Sequence, residues 1–310
     1  MTMTKVLNPF MDIAPAVQDA LAAGKPVVAL ESTIITHGMP YPDNSRMAAD
    51  VEAIIIAEGA VPATIAIVDG RLKIGLSAKE REALAQVKGA MKLSRADLAF
   101  ALSEGRTGGT TVAATMLAAH LAGIKVFATG GIGGVHKGAE QSFDISADLE
   151  ELGRTPVIVV SAGAKAILDI EKTLEVLETK GVPVVVYGAD VLPAFWSRQS
   201  QIKAPLRLDT ADAIAKFQAA RDAIGVVGGM LIANPIPEAS EIPAEIMGGY
   251  IREAIARATK KGVTGKTVTP FLLSELLDIT KGESLKANIA LVENNARLAA
   301  KIAVSLTATR

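Results

Sequence analysis

The stretch ATGGIGGVHKGAEQSFDISADLEELGRTPVIVVSAGAKAI, residues 128–167, decides the fold class. A short strand-like run, Lys125 to Ala128, leads into a glycine-dense turn. A helical pattern carrying Leu149 to Leu152 follows, and the chain then re-emerges in the continuous apolar run VIVV before SAGAK. An apolar run without polar alternation is the mark of a strand covered on both faces. Strand, helix and strand in succession build a parallel sheet.

The same rhythm extends outward. Upstream, the spacing predicts a helix over Met11 to Ala23, a buried strand over Pro26 to Leu30 running into Glu31, and a loop ESTIITHGMPYPDN. A helix over Ser45 to Ala57 comes next. Ala63 to Val68 and Leu72 to Leu76 flank Asp69-Gly70, a strong hairpin signal. Helices near Ala78 to Val87 and Ser94 to Leu102 frame Lys92, and Gly108-Gly109-Thr110-Thr111 opens an alanine-rich helix to Ala122. Downstream come a helix from Ile170 to Lys180, a strand from Pro183 to Tyr187 and an irregular segment, Leu192 to Leu208, holding the one tryptophan, Trp196. A helix from Thr210 to Ala223 precedes a strand from Val226 to Ile232, and helices over Ala244 to Thr259, Thr269 to Leu277 and Glu283 to Leu306 end the chain. The expectation is a three-layer α/β/α fold with a mostly parallel, mixed sheet and a helical C-terminal third, in one domain over residues 1–310.

Composition narrows the chemistry. Hydrophobic residues make up 50% and aromatics only 4%, so the core must be built from aliphatic side chains. A net charge of −1 gives no electrostatic reason to expect nucleic acid or an anionic membrane. With no cysteine and three histidines, disulfides, thiolate metal sites and a cysteine nucleophile are excluded, and a bound metal would be a hard ion on oxygen ligands. The N-terminal run MTMTKVLNPFMDIAPAV lacks the pattern of a secretion signal, and no apolar stretch is long enough to span a bilayer. A cytoplasmic protein is expected.

In parallel α/β sheets, ligands sit beyond the C-terminal ends of the strands. Glu31, Thr129 and the segment Ser161 to Lys165 all follow predicted strands, so three segments converge on one crevice. Glu31, at the end of a buried strand, suits an acid or base; the plain alternative is a structural ion pair. Lys165 stands among small residues, which leaves room for a substrate, and burial favours the neutral nucleophilic form of an amine. The plain alternative is a lysine with its head in water. Gly130 to Gly138 offers amides to a phosphate, yet it matches neither the dinucleotide fingerprint nor the P-loop; an ordinary loop is equally consistent. Asp144 and Asp148, four apart, would share a helix face and a cation, or one of Asp144 and Ser146 caps the helix. Lys92 and the Gly108 to Thr111 turn offer anion contacts. His37 and His136 read singly as hydrogen-bonding residues, and Asn288, Glu293, Asn294 and Asn295 put polar groups on the terminal helix.

ALESTIITHGMPYPDN, GTTVAATMLAAHLAGIKVFATGGIGGVH, FDISADL, VVSAGAKAILD, GGMLIANPIP and SLKANIALVENNARLAA together resemble the pseudouridine-5'-phosphate glycosidase family, which is itself similar to the indigoidine synthase A group. The resemblance spans nearly the whole chain. It implies reversible cleavage of the carbon–carbon glycosidic bond of pseudouridine 5'-phosphate to uracil and ribose 5-phosphate. Lys165 matches the family's covalent nucleophile, Glu31 its proton donor and Asp144 its metal position, with Mn2+ the usual ion and Mg2+ or another hard divalent ion a substitute. Ser146, Ala147 and Asp148 match a substrate-binding run, Lys92 and Val112 two further substrate contacts, and Thr129, His136 and Asn288 fit the same site. The mechanism so implied opens the ribose ring and joins C1' to Lys165 as a Schiff base, with Glu31 supplying protons. A homotrimer is also implied, with the terminal helices and the Trp196 segment as candidate contacts. Two other readings fit the residues alone: a different lysine-dependent sugar-phosphate carbon–carbon lyase, and a non-catalytic sugar-phosphate sensor, though no helix-turn-helix or basic face accompanies it.

Overall fold

The continuous apolar runs become strands buried along their whole length, because helices cover both faces of the sheet. The computed structural model describes residues 8–263 and 268–308. Its strands are β1 Met11–Ile13, β2 Val27–Leu30, β3 Val61–Val68, β4 Arg71–Ile74, β5 Met91–Leu93, β6 Gly108–Thr110, β7 Val126–Ala128, β8 Ile158–Ser161, β9 Val184–Tyr187, β10 Leu206–Leu208 and β11 Met230–Ala233. Its helices are α1 Pro15–Ala22, α2 Asp43–Ala57, α3 Ala78–Gln86, α4 Leu98–Ser103, α5 Val112–Ala122, α6 Ala139–Ser142, α7 Ala147–Arg154, α8 Ile170–Thr179, α9 Ala211–Ala223, α10 Ala244–Lys260, α11 Val268–Ile279 and α12 Glu283–Ala308.

The strands form one sheet in the order β1-β4-β3-β2-β7-β8-β11-β9-β10, with β6 also pairing β3 and carrying β5. From β3 through β2, β7, β8, β11, β9 and β10 every neighbour is parallel. The antiparallel pairs are the Asp69-Gly70 hairpin of β3 with β4, and β6 with β3. This is the mostly parallel, mixed sheet expected.

Chain order and strand order diverge between β2 and β7. From β2 the chain crosses through α2 to β3 on one side; from β7 it crosses through α7 to β8 on the other. Crossovers of one hand running in opposite directions place their helices on opposite faces. Accordingly α12 packs on β2, β7 and β8 and against α2 and α9, while α5 packs against β2, β3, β7 and α7. The gap between the ends of β2 and β7 is therefore the topological switch point of the sheet, where a crevice opens.

Several local expectations are corrected. Met11 to Ile13 is not helical: it is strand β1, paired in parallel with β4, and the helix begins at Pro15, whose missing N–H costs nothing at a first helical position. The Arg71 guanidinium bonds Asp12 and, with Lys73, holds that carboxyl down at about 2, which ties β1 to the edge. Gly108 to Thr110 is strand β6 rather than a helix opening, and Thr111 caps α5 by accepting the Ala114 N–H. Only glycine fits the β6 register, since a Cβ on Gly109 would lie 2.3 Å from Thr36 Oγ1. The strand expected over Val226 to Ile232 starts later, at Met230, after an exposed turn. The segment Leu192 to Leu208 is irregular except for β10 at its end. Within the loop after Glu31, Ile34 to Gly38 winds into one wide helical turn. Trp196 is 1% exposed and donates through Nε1 to the Ser284 carbonyl at 3.2 Å, so it belongs to the chain's own core.

Candidate active site

Glu31 and Thr129 each stand one residue past a strand end, on the two sides of the switch point. Thr129 Oγ1 donates across it to Glu31 Oε1, and Thr33 Oγ1 donates to Glu31 Oε2. Each oxygen of the carboxylate is thus held by one hydroxyl. The segment is pinned from below: Ser32 Oγ donates to the Ile65 carbonyl at 2.6 Å and accepts the Thr110 N–H at 2.9 Å. Thr129 itself is anchored by α12, where fully buried Asn295 donates through Nδ2 to the Thr129 carbonyl at 2.8 Å and accepts from Asn234 Nδ2 at 3.0 Å.

Lys165 lies beyond the next strand, β8. Its N–H donates to the Ile132 carbonyl at 3.1 Å, and Ile132 N–H returns to Gly163 at 3.1 Å, so the SAGAK turn continues the parallel pairing past the strand. A cleft of ≈ 360 Å³ is lined by Glu31, Thr33, Lys92, Lys165, His136 and Asp144, together with the helix starts at Thr111-Val112 and Ser146-Ala147-Asp148. A smaller chamber of ≈ 70 Å³ opens on its other side, bounded by His37, Gly130, Gly131, Phe195, Leu273 and Asn288. Glu31, Thr33, Lys92 and Lys165 line both, and so form the waist between them.

In the glycine-dense turn four amides are engaged within the protein. The amides of Ile132, Gly133, Val135 and His136 donate to Gly163, Asp148, Thr173 and Asp144 respectively. Its glycines serve close packing: a Cβ on Gly133 would sit 2.2 Å from Ser146 Oγ and 2.8 Å from Asp148 Oδ2. Anion-binding potential lies also at the N-termini of α5 and α7, which meet at the large cleft beside Lys92.

Ser146 is the cap of α7, accepting the Asp148 N–H at 3.2 Å. Asp144 precedes that helix, so the two aspartates do not share a helix face, although they line the same cleft. Asp148 is 6% exposed and clamps two elements, its Oδ1 accepting from Ala113 N–H at 2.9 Å and its Oδ2 from Gly133 N–H at 2.8 Å. Among the described residues no group of three or more His, Asp or Glu side chains is placed to hold a metal ion. With both Asp148 oxygens engaged, Asp144, half-buried beside His136, is the carboxylate available to one. That donor set would suit a hard divalent ion keeping most of its water, and does not fit an all-protein cage.

Burial depresses the His136 imidazole below its ordinary value of 6.5, against the pull of Asp144 and with help from Lys165 and Lys92. His37 is depressed too, by burial and then by Lys92; its Nδ1 lies 2.7 Å from Thr36 Oγ1. Both rings are therefore held neutral near pH 7.

The expected residues Glu31, Lys92, Val112, His136, Asp144, Ser146, Ala147, Asp148 and Lys165 come together in the large cleft, and Asn288 lines the small chamber. Thr129 lies behind Glu31, 2% exposed, and borders neither. Thr33 and Phe195 escaped the sequence reading. Thr33 carried a signal, being two residues past Glu31 on the same segment. Phe195 carried none, since its place at the chamber wall depends on a left-handed backbone (φ 63°) inside an irregular stretch.

A family model described as indigoidine synthase A like protein matches residues 16–305. A pseudouridine-5'-phosphate glycosidase of Mesorhizobium japonicum is 70% identical over 96% of this chain and 98% of its own. Its namesake from Dinoroseobacter shibae is 64% identical over 97% and 98%. Among solved structures, the prealnumycin C-glycosynthase in complex with ribulose 5-phosphate superposes with a TM-score of 0.90 at 38% identity, over 97% of this chain and 98% of that one. An indigoidine synthase A-like protein from Thermotoga maritima gives 0.87 at 34% identity, over 96% and 97%.

Proposed function

The chain belongs to the indigoidine synthase A-like family, and from that footing we propose that it is a pseudouridine-5'-phosphate glycosidase, cleaving the C1'–C5 bond to give uracil and ribose 5-phosphate, reversibly. The observation that carries the reading is the waist: a lysine and a carboxylate line both an anion-suited cleft and a smaller chamber suited to a flat base. The phosphate would lie at the starts of α5 and α7 with Lys92, the ribose at the waist, and uracil toward His37, Phe195 and Asn288.

Carbon C5 is a poor leaving group, so the two-carboxylate route through an oxocarbenium ion is ill suited to this bond. The lysine supplies the alternative. Lys165 Nζ bonds C1' as the C1'–O4' bond breaks and O4' takes a proton. Protonation at C5 then lets the C1'–C5 bond break; its electron pair returns to the uracil ring while the nitrogen lone pair forms the C1' iminium. Water hydrolyses that Schiff base, restoring the amine and releasing the sugar phosphate. Glu31, held by Thr33 and Thr129, is the group placed to carry the protons, and the neutral His136 adds no positive charge beside the amine.

Asp144 would hold a divalent ion, Mn2+ by family likeness or Mg2+, whose charge steadies phosphate and water at the cleft. Chelation should lower turnover and added Mn2+ restore it, with Asp144→Ala abolishing the Mn2+-dependent gain in thermal stability; equal stability with and without Mn2+ in the unaltered chain would remove the ion from the scheme. We further assign the protein to the cytoplasm, as a single domain in a homotrimer. Among the described residues no helix is long and apolar enough to cross a membrane.

The deciding experiment is product analysis with pseudouridine 5'-phosphate: uracil and ribose 5-phosphate should appear in equal amounts. Borohydride with ribose 5-phosphate should add a pentose phosphate to the Lys165 peptide. Absence of that adduct in active enzyme would exclude the imine, and absence of uracil would exclude the activity.

A further inference from the structure

Behind the base-side chamber lies a second cavity of ≈ 220 Å³, walled by Met39, Trp196, Ser274, Leu277, Ser284 and Leu285. It is continuous with the first, since His37, Gly38, Pro270, Leu273 and Asn288 line both. Among the described residues no Asp, Glu, Lys or Arg faces it. The Trp196 N–H is already satisfied by the Ser284 carbonyl. At the junction, Asn288 Oδ1 is buried without a hydrogen-bond partner, an arrangement that costs stability unless a donor arrives from a ligand. A cavity of ~150 Å³ with apolar walls is enough to bind benzene, so this space, its junction included, is large enough for one aromatic ring.

We propose that this cavity receives the outer part of aglycones larger than uracil, so that the chain also makes and cleaves C-ribosyl 5'-phosphates of uracils bearing an apolar ring substituent. The proposal rests on the reading above and extends its substrate class. Two observations support this occupant over water or a polar extension. The cavity continues the base chamber on the side away from the phosphate-suited cleft, and among the described residues its walls carry no Asp, Glu, Lys or Arg. A protein of the same fold at 38% identity is named for a C-glycosylation of a different acceptor, prealnumycin, so the fold tolerates change on the acceptor side. In the synthetic direction the bond chemistry is unchanged: the C1'–C5 and C1'–O4' bonds form, C5 and the O4' hydroxyl each give up a proton, and the C1' oxygen of open-chain ribose 5-phosphate leaves with those two protons as water.

The test runs the full chain in the synthetic direction with ribose 5-phosphate and four acceptors: uracil, and uracil carrying a benzyl group at N1, N3 or C6, each of which leaves C5 free. One benzyl isomer should react with a kcat/KM within roughly tenfold of uracil's, the others falling away as they strike the chamber wall. Ser274→Trp, which narrows the cavity from an exposed helix position, should lower the ratio of that isomer to uracil by at least roughly tenfold. Should that variant be unstable, Leu277→Ala, which enlarges the same space, should raise the ratio. If every benzyl isomer falls more than roughly a thousandfold below uracil, whether because the cavity closes or because a neighbouring copy fills it, the proposal is overturned. It is overturned equally if narrowing or enlarging the cavity moves uracil and the benzyl acceptor together. Failure of uracil itself would instead overturn the glycosidase reading.

Discussion

Thr129→Val removes one hydroxyl from the Glu31 carboxylate while keeping side-chain volume and β-branching. Its consequence separates a residue that positions the acid from one that touches substrate. Thr129 is 2% exposed and donates to Glu31 Oε1, while Thr33 holds Oε2. A hydrogen bond to a charged group is worth about 1.5–3 kcal/mol. With Thr33 still holding the second oxygen, the lower part of that range applies, about 1.5–2 kcal/mol, which is roughly 10- to 30-fold in rate. Because Thr129 borders neither chamber, the loss should fall on kcat with KM for pseudouridine 5'-phosphate nearly unchanged. Steady-state kinetics by uracil release measure both, and Thr129→Ser, which returns a donor, should recover most of the rate. Thr33→Val should cost a similar factor, and the double variant should fall short of the product of the two, since both hydroxyls orient one carboxylate. A rise in KM with kcat intact would place Thr129 against the substrate and refute the positioning argument; an unchanged kcat in the double variant would remove Glu31 from the rate-limiting chemistry.

Two further outcomes follow from the walls of the cleft. Arg95, one residue past Ser94, grips Glu151 of α7 through Nε at 2.5 Å and Nη2 at 2.8 Å, with Glu151 only 1% exposed, so the pair ties the Lys92 wall to the α7 wall. Removing the partner of a buried charge costs 3–5 kcal/mol, and because Arg95 is 39% exposed the lower edge applies. Arg95→Ala should therefore lower Tm by roughly 5–10 °C in a thermal melt and raise KM more than it lowers kcat; an unmoved Tm would show the pair to be inert. The second concerns pH. His37 and His136 both titrate below 6.5 when folded, so the unfolded chain takes up protons first as pH falls. Their contribution to stability is complete above 6.5 and is lost as pH drops from 6.5 through the depressed folded values. Tm should decline as pH falls below about 6.5, and replacing both rings by Asn and Gln should flatten that slope; a slope that persists unaltered would assign it to other groups.

The parallel sheet was legible because its central strands are apolar without interruption, as in VVAL and IVVS, and because Asp69-Gly70 marks the hairpin unmistakably. The edges were not legible. Met11 to Ile13 has apolar spacing that suits a helix turn, and it is a strand only because β4 lies beside it with Arg71 and Lys73 facing Asp12. Gly108 to Thr110 has the composition of a turn and becomes β6 through the closeness of Thr36 and Met91, a tertiary constraint with no local trace. At the site, residue types and strand ends pointed to groups that the structure gathers in one cleft, while the hydrogen bonds of Asp148 and Asn295 depend on partners 15 to 35 and 61 to 166 positions away.

The strand order explains why Glu31 pairs with Thr129 and not with another strand-end group. A carboxylate at the end of β2 could meet the residue after β3 or the residue after β7, since both strands flank it. On the β3 side that strand runs on past Thr64, the partner of Leu30, to Val68, and its backbone there is engaged with β4 and β6. On the β7 side the crossovers depart in opposite directions, and no connection covers the ends of the strands. Lys165 reaches that same opening because β8 is the next strand over and the SAGAK turn extends the pairing past it. The acid and the amine are therefore brought together by where the winding reverses, which strand order settles and residue pattern does not. A variant that lengthened the β8–Lys165 turn by one residue should leave the sheet folded yet move the amine off the waist. Far-UV circular dichroism should be unchanged while borohydride trapping at Lys165 is lost; trapping at the normal rate would show that the turn's register does not set the nucleophile's position.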